Sequence, residues 1–244
     1  MSTTATVSTV DDLFLAVANP KIQIICLNAG IYRLTRPLII ARSNLTIFGG
    51  NAKLVIESNI NYPVIHIGST KLRKPSTSTI NGIVRNVTLH NLFVDGNKTN
   101  AVENSDFGYW IKNNAISIRF AQNISLVDCH ANNSRSGGIV AAMSQDIFIK
   151  NCQSDQNAYD GVAPYRCTNV MIFGCGLNGN VYSGLSIEQC RQVYVCGCRF
   201  ANNADWCVFM RRSTDIFVVN NTMSSSENRS IFSSKSKFSE VSLK

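Results

Sequence analysis

The side chains with the greatest chemical reach in this chain are arginines interleaved with a tyrosine and a carboxylate: Arg119, Tyr165, Arg166, Glu188, Arg211 and Arg212. Arg119, Tyr165, Glu188 and Arg211 are separated by 23 residues or a multiple of it, and Arg166 and Arg212 each directly follow one of them. Guanidinium forks bind anionic oxygens in pairs, and an aromatic ring offers a face on which a planar or pyranose ring can stack. Tyr109 and Trp110 would add such faces, and His66 a group that can take or give a proton near neutral pH. Brought together, Tyr109, Trp110, Arg119, Tyr165, Arg166, Glu188, Arg211 and Arg212 would bind a polyanion. Arg119, Tyr165, Arg166 and His66 are the residues that could move a proton on it. Asp160, Asp205 and Glu188 form a second set, carboxylates of the kind that glycoside hydrolysis uses in pairs, with Asp160 and Asp205 expected at turns. A net charge of +8 agrees with a polyanionic partner, whether polysaccharide, nucleic acid or anionic surface.

The spacing belongs to a larger pattern. Repeats beginning at Ala115, Gly138, Gly161, Gly184 and Cys207 follow one another every 23 residues without insertion or deletion, the signature of a repeat architecture. Position 2 reads Ile116, Ile139, Val162, Leu185, Val208; position 10 reads Ile124, Ile147, Val170, Val193, Ile216; position 12 reads Leu126, Ile149, Ile172, Val195, Val218. Apolar, mostly β-branched residues two apart are strand pattern. Position 9 (Asn123, Asp146, Asn169, Gln192, Asp215) and position 20 (Ser134, Asn157, Asn180, Asn203, Ser226) carry turn formers, whose amides can ladder along a stack. The expected fold is an all-β solenoid, a single-stranded parallel β-helix of 23-residue coils stacked roughly 4.8 Å apart. With positions 2 and 4 inward, positions 3 and 5 point outward, which sets His66, Arg119, Tyr165, Glu188 and Arg211 on one face.

The pattern extends toward the N-terminus: NLTIFGG from Asn44 repeats positions 9–15, and NVTLHNLFVDGN from Asn86 repeats positions 9–20. Two inserts interrupt it, at about 68–81 and 98–111, the first basic (Lys71, Arg73, Lys74) and the second aromatic (Phe107, Tyr109, Trp110). They rim the same strand stack, and inserts on one face of a repeat protein often mark its binding face. Residues 9–19 read as a capping helix, with Thr9 at its start, Asp11 and Asp12 in its first turn and Pro20 past its end. Coils then fill 21–229, and 230–244 is a last partial coil or tail, all within one domain, 1–244. The tail shows no capping helix, which would leave the last coil open for homo-oligomerisation or mean that the chain is a fragment.

Hydrophobic content of 45% and charge of 16% are those of a globular chain. No apolar run approaches membrane length, and the first residues lack a basic region followed by an apolar one. Of nine cysteines, Cys129, Cys152, Cys175 and Cys198 share position 15, and Cys167 and Cys190 share position 7. In-register stacking holds neighbouring Cβ atoms roughly 4.8 Å apart, beyond the ~3.5–4.5 Å of a disulfide, so these thiols are expected reduced and buried. Unpaired thiols favour folding in a reducing compartment. No metal-ligand spacing and no cofactor motif stands out, and none is expected.

The helix followed by IICLNAGIYRL, together with NVTLHNLFVDGNKTN and the regular coils, resembles the right-handed parallel β-helix proteins of the pectate-lyase-like superfamily. Within it the pattern is most similar to the catalytic modules of mannuronan C5-epimerases. That family's D-P-H motif would fall at Val140, Ala141 and Ala142 and its preceding Tyr at Gly137, so no catalytic residue carries over. The resemblance implies a right-handed solenoid and an acidic polysaccharide, a uronate, as partner in preference to nucleic acid. Lyase or epimerase chemistry on a uronate needs its carboxylate neutralised and its C5 proton removed, and Arg119, Tyr165, Arg166 and His66 are of the right types. The alternative is a non-catalytic structural or attachment solenoid.

Overall fold

A computed structural model describes residues 3–60, 62–70, 83–100, 113–224 and 230–243. The apolar columns become three stacks of parallel strands around one core. A front sheet contains Leu38–Ile40, Ile65–Gly68, Ile116–Arg119, Ile139–Ala142, Val162–Tyr165, Leu185–Glu188, Val208–Arg211 and Ile231–Ser234. A back sheet stacks Thr3–Val7, Ile22–Leu27, Leu45–Phe48, Val84–His90, Ala121–Val127, Gln145–Lys150, Thr168–Phe173, Arg191–Cys196, Thr214–Ser224 and Phe238–Leu243. A side sheet of short strands runs from Ile31–Leu34 to Arg199–Ala201, and the long strand Thr214–Ser224 turns from the back sheet onto it. Like residues stack on like: Ile116 on Ile139 on Val162, and Ile149 on Ile172 on Val195. Positions 2, 10 and 12 are buried in all five repeats.

Each coil turns at residues in the left-handed backbone region. Position 9 (Asn123, Asp146, Asn169, Gln192, Asp215; φ +54° to +58°), position 14 (Asp128, Asn151, Gly174, Gly197, Asn220) and position 19 (Asn133, Gln156, Gly179, Asn202) all lie there. Most of these are Asn, Asp or Gly, the residues that tolerate it. Position 6 is also left-handed, but holds Phe120, Met143, Arg166, Gln189 and Arg212 (φ +48° to +53°).

Position 20, expected at the turn itself, lies one residue past it and faces inward. Asn157, Asn180 and Asn203 are buried. The backbone N–H and Nδ2 of Asn157 donate to Asn180 Oδ1 (3.1 and 3.0 Å), and those of Asn180 donate to Asn203 Oδ1 (3.1 and 3.0 Å). Behind a left-handed corner the N–H is taken up by a side-chain acceptor of the next coil instead of by a carbonyl, which satisfies a donor that burial would otherwise leave unpaired. Positions 7 and 15 do the same. Ala121 N donates to Ser144 Oγ (3.1 Å), Cys167 N to Cys190 Sγ (3.4 Å), Cys190 N to Ser213 Oγ (3.0 Å) and Cys198 N to Asn221 Oδ1 (2.8 Å). Cys129, Cys152, Cys175 and Cys198 are buried and unbridged, and each thiol donates to the carbonyl two residues before it (3.3–3.6 Å). These cysteines are hydrogen-bonding corner residues as well as apolar filling.

The helix α1, Val10–Ala18, starts at Thr9, whose Oγ accepts from Asp12 N (3.1 Å), and buries Leu13, Ala16 and Val17. One element differs from expectation. The strand Thr3–Val7 precedes the helix and pairs in parallel with Ile22–Leu27, so the solenoid begins before the helix and not near residue 21. Its sequence, TTATV, has strand propensity, and Tyr32 Oη donates to Val7 O (2.9 Å), fixing its end.

Candidate functional site

The outward side of the front sheet changes character along the axis. Over Ile65–Gly68 and Ile116–Arg119 every residue is buried, so His66 and Arg119 are each only 1% exposed. Both side chains are therefore buried, although alternation alone would leave outward residues open to solvent. His66 Nε2 lies 3.1 Å from Ser69 O. Burial, with the nearby Arg119 adding to it, lowers the imidazole pKa to about 4 despite that bond and so holds the ring neutral. Arg119 sits over the Phe120 ring at 4.8 Å, and burial lowers its pKa too. Tyr109 and Trp110 lie outside the described residues.

From Val140 onward the sheet opens. Register places Tyr165 beside Glu188 and Glu188 beside Arg211. Arg211 Nε donates to Glu188 Oε2 (2.8 Å), and a second guanidinium nitrogen closes the fork. This pair is part-exposed, so its contribution to stability is small; its effect is to neutralise one of the expected cations. Arg166 is exposed, its guanidinium 5.1 Å from the Tyr165 ring centroid and its Nε donating to Gln189 Oε1 (2.9 Å). Arg212 is exposed on the same corner. Tyr165, Arg166, Glu188, Arg211 and Arg212 thus lie on the open coils, while His66 and Arg119 are buried in the preceding ones.

Two features were not legible as a site. Tyr159 and Tyr182, at position 22 of consecutive repeats, are exposed and stack in parallel, ring centroids 4.8 Å apart and planes 5° apart. The recurrence of Tyr at one repeat position was the available signal. Beside them a pocket of about 150 Å³ is lined by Asn114, Ser136, Tyr159, Asp160, Tyr165 and Glu188. Asp160 follows the bend at Ala158 and Tyr159, half-buried and lining this pocket. Its Oδ1 accepts from Ser183 N (3.0 Å). Burial raises its carboxyl to about 7 in spite of that bond, and the nearby Glu188 and Asp205 push the same way. The open front surface therefore has stacked tyrosines and a protonatable carboxyl at one edge and arginines at the other. Among the described residues no group of three or more His, Cys, Asp or Glu side chains is placed to hold a metal ion, and no helix is long and apolar enough to cross a membrane.

Several solved structures share the architecture. The family 28 exopolygalacturonase of Yersinia enterocolitica superposes with a TM-score of 0.66 at 14% identity over 91% of this chain. The surface adhesin PfbA of Streptococcus pneumoniae does so at 0.61 and 11% identity over 98%. The N-terminal fragment of bacteriophage phi29 gene product 12 does so at 0.62 and 16% identity over 88%. The chain spans 54%, 79% and 38% of these proteins' lengths, respectively. A search of curated proteins finds no match. Residues 65–243 match the family model described as a right handed beta helix region. Parallel strands stacked in register on three faces, with that match over most of the chain, make it a member of the right-handed β-helix family.

Proposed function

We propose that this protein binds an acidic polysaccharide along the open part of its front sheet. The observation that carries the reading is the arrangement just described: stacked Tyr159 and Tyr182 on one edge, Arg166 and Arg212 on the other, and Tyr165 with the Glu188–Arg211 pair between them. Aromatic faces and guanidinium forks are the groups that recognise sugar rings bearing acid groups. In this reading the chain acts as one continuous unit, with regular 23-residue coils from Ala115 onward and α1 closing its N-terminal end. The fold is shared with an exopolygalacturonase and with an adhesin, so architecture does not choose between processing and attachment.

The burial of His66 and Arg119 favours attachment over lyase or epimerase turnover, because two of the candidate proton-transfer groups cannot reach a substrate on the open surface. If the chain is processed, Asp160 is the group to examine, since a carboxyl that keeps its proton near neutrality can act as a general acid. The test is binding of polygalacturonate and alginate against a neutral glucan. The same samples are then assayed for unsaturated product in the ultraviolet, new reducing ends, and C5 inversion by NMR. Binding of uronates alone, weakened by Arg166→Ala with Arg212→Ala, is the expected result. Equal binding of the neutral glucan would overturn the reading.

A further inference from the structure

The corner that follows the front sheet is built against backbone preference. Position 6 is left-handed in coil after coil, and its occupants are Phe120, Met143, Arg166, Gln189, Arg212 and Lys235. A left-handed residue with a Cβ costs roughly 1–2 kcal/mol, and the other corners lower that cost with Asn, Asp or Gly. Strain retained over six coils points to a role for the side chains outside the core.

Position 8, two residues on, faces outward again. Arg85, Gln122, Gln145, Thr168, Arg191 and Thr214 stand there in register on successive coils. Between the two ridges position 7 is small and buried, as Ala121, Ser144, Cys167, Cys190 and Ser213. Two ridges over a floor of small residues form a groove parallel to the solenoid axis. From Arg85 to Arg166 it holds about 400 Å³, within the ~300–1,000 Å³ of ligand sites. It spans three coil steps, roughly 14 Å. Arg85 is oriented at one end, with Nε donating to Gln122 Oε1 (3.1 Å) and Nη1 to Ile83 O (3.3 Å). Arg166 is oriented at the other by Gln189 and Tyr165. Farther along, Arg212 and Lys235 continue the first ridge and Arg191 and Lys237 the second, all exposed. Of the nearby carboxylates, Asp146 accepts from Gln122 and Asn169, and Asp215 faces Arg191 at 3.4 Å.

We infer that this corner groove is the track on which a linear polysaccharide lies, its acid groups seated between the Arg85 end and Arg166 and then along Arg212 and Lys235. The inference rests on the acidic-polysaccharide reading and moves the main contact from the face of the front sheet to its corner. Coil spacing repeats the cations along the axis, as a regular polymer repeats its acid groups, and the small floor lets the chain approach the backbone.

The test places negative charge in the groove without touching the core. Gln145 and Thr168 are exposed groove residues. The full chain carrying Gln145→Glu with Thr168→Glu is compared with one carrying Thr88→Glu with Ser125→Glu, which adds the same charge to the outward side of the back sheet. Thermal melts establish that both fold. Binding of polygalacturonate and dextran sulfate, measured side by side, reports whether the seated acid is carboxylate or sulfate. The expected result is at least a tenfold loss for the groove pair and less than twofold for the back-sheet pair. If wild type binds neither polymer, the acidic-polysaccharide reading itself falls. If wild type binds and the groove pair stays within twofold, or both pairs weaken it equally, the groove inference alone falls. Tighter binding of a single-stranded oligonucleotide than of either polysaccharide also overturns it.

Discussion

Replacing Asp160 by Asn isolates one proton in this fold. Asn keeps an oxygen where Asp160 Oδ1 accepts from Ser183 N (3.0 Å) but cannot ionise. In the folded chain the Asp160 carboxyl is raised from its ordinary 3.8 to about 7 by burial, with Glu188 and Asp205 adding to it. Below 3.8 the carboxyl is protonated in both folded and unfolded chains. Between 3.8 and 7 the unfolded chain releases the proton while the fold retains it, so stability is lost as pH rises through this window. At about 1.4 kcal/mol per pH unit the full loss is about 4 kcal/mol. Water at the partly exposed edge of the side chain screens some of this, which leaves about 2–4 kcal/mol. Denaturant unfolding of both proteins at intervals from pH 4 to pH 8 measures it, and the difference between them cancels the titrating groups that do not interact with Asp160. The variant should gain on wild type by that amount between pH 4 and 7 and no further above it. A difference flat to within about 0.5 kcal/mol, or one that moves the other way, would show that Asp160 is ionised and solvated and is no reservoir of a proton at neutral pH.

His66 gives the mirror experiment. Its folded pKa is depressed to about 4, so its contribution is present above 6.5 and lost as pH falls toward 4; wild type should lose about 3 kcal/mol relative to His66→Gln over that range. Ile172→Ala should destabilise by about 2–5 kcal/mol, because Ile172 is fully buried between Ile149 and Val195; a cost under about 0.5 kcal/mol contradicts the inward assignment. Asn180→Ala should cost at least about 2 kcal/mol in denaturant unfolding, since it strands the buried N–H of Asn157 and the carbonyl of Ser154. Alkylation of native protein, read by mass spectrometry, should modify Cys26 and Cys196 and spare Cys129, Cys152, Cys175 and Cys198, whose thiols lie in the core; modification of the core set at the same rate contradicts the ladder.

The architecture was legible because it is written redundantly. Five repeats state the same inward columns, and a strand's period of two leaves no other assignment for Ile149, Ile172 and Val195. Periodicity gives facing but not cover. It put His66 and Arg119 on the outward side, and could not say that both are buried. Turn chemistry identified the corner at position 9, where Asn and Asp are the rule, and missed position 6, where Phe120, Met143 and Arg166 adopt the same backbone against their preference. The sequence sets Asp160 at a turn without giving what it faces. What a turn residue faces depends on how the coil closes, and that is set by long-range packing.

Because the five repeats from Ala115 share one length, that part of the solenoid is also a ruler with movable marks. Residues 161–183 could be removed from the gene in one step. Asp160 would then meet Gly184, and Cys152 would stack on Cys198, Ile149 on Val195 and Asn157 on Asn203, pairs already compatible in the present order. The outer surface would shorten by one strand spacing, roughly 4.8 Å, with no corner redesigned. Duplication of the same segment would lengthen it by as much. The length of this outer face is thus a heritable integer, altered by unequal recombination between repeats more readily than by substitution within them.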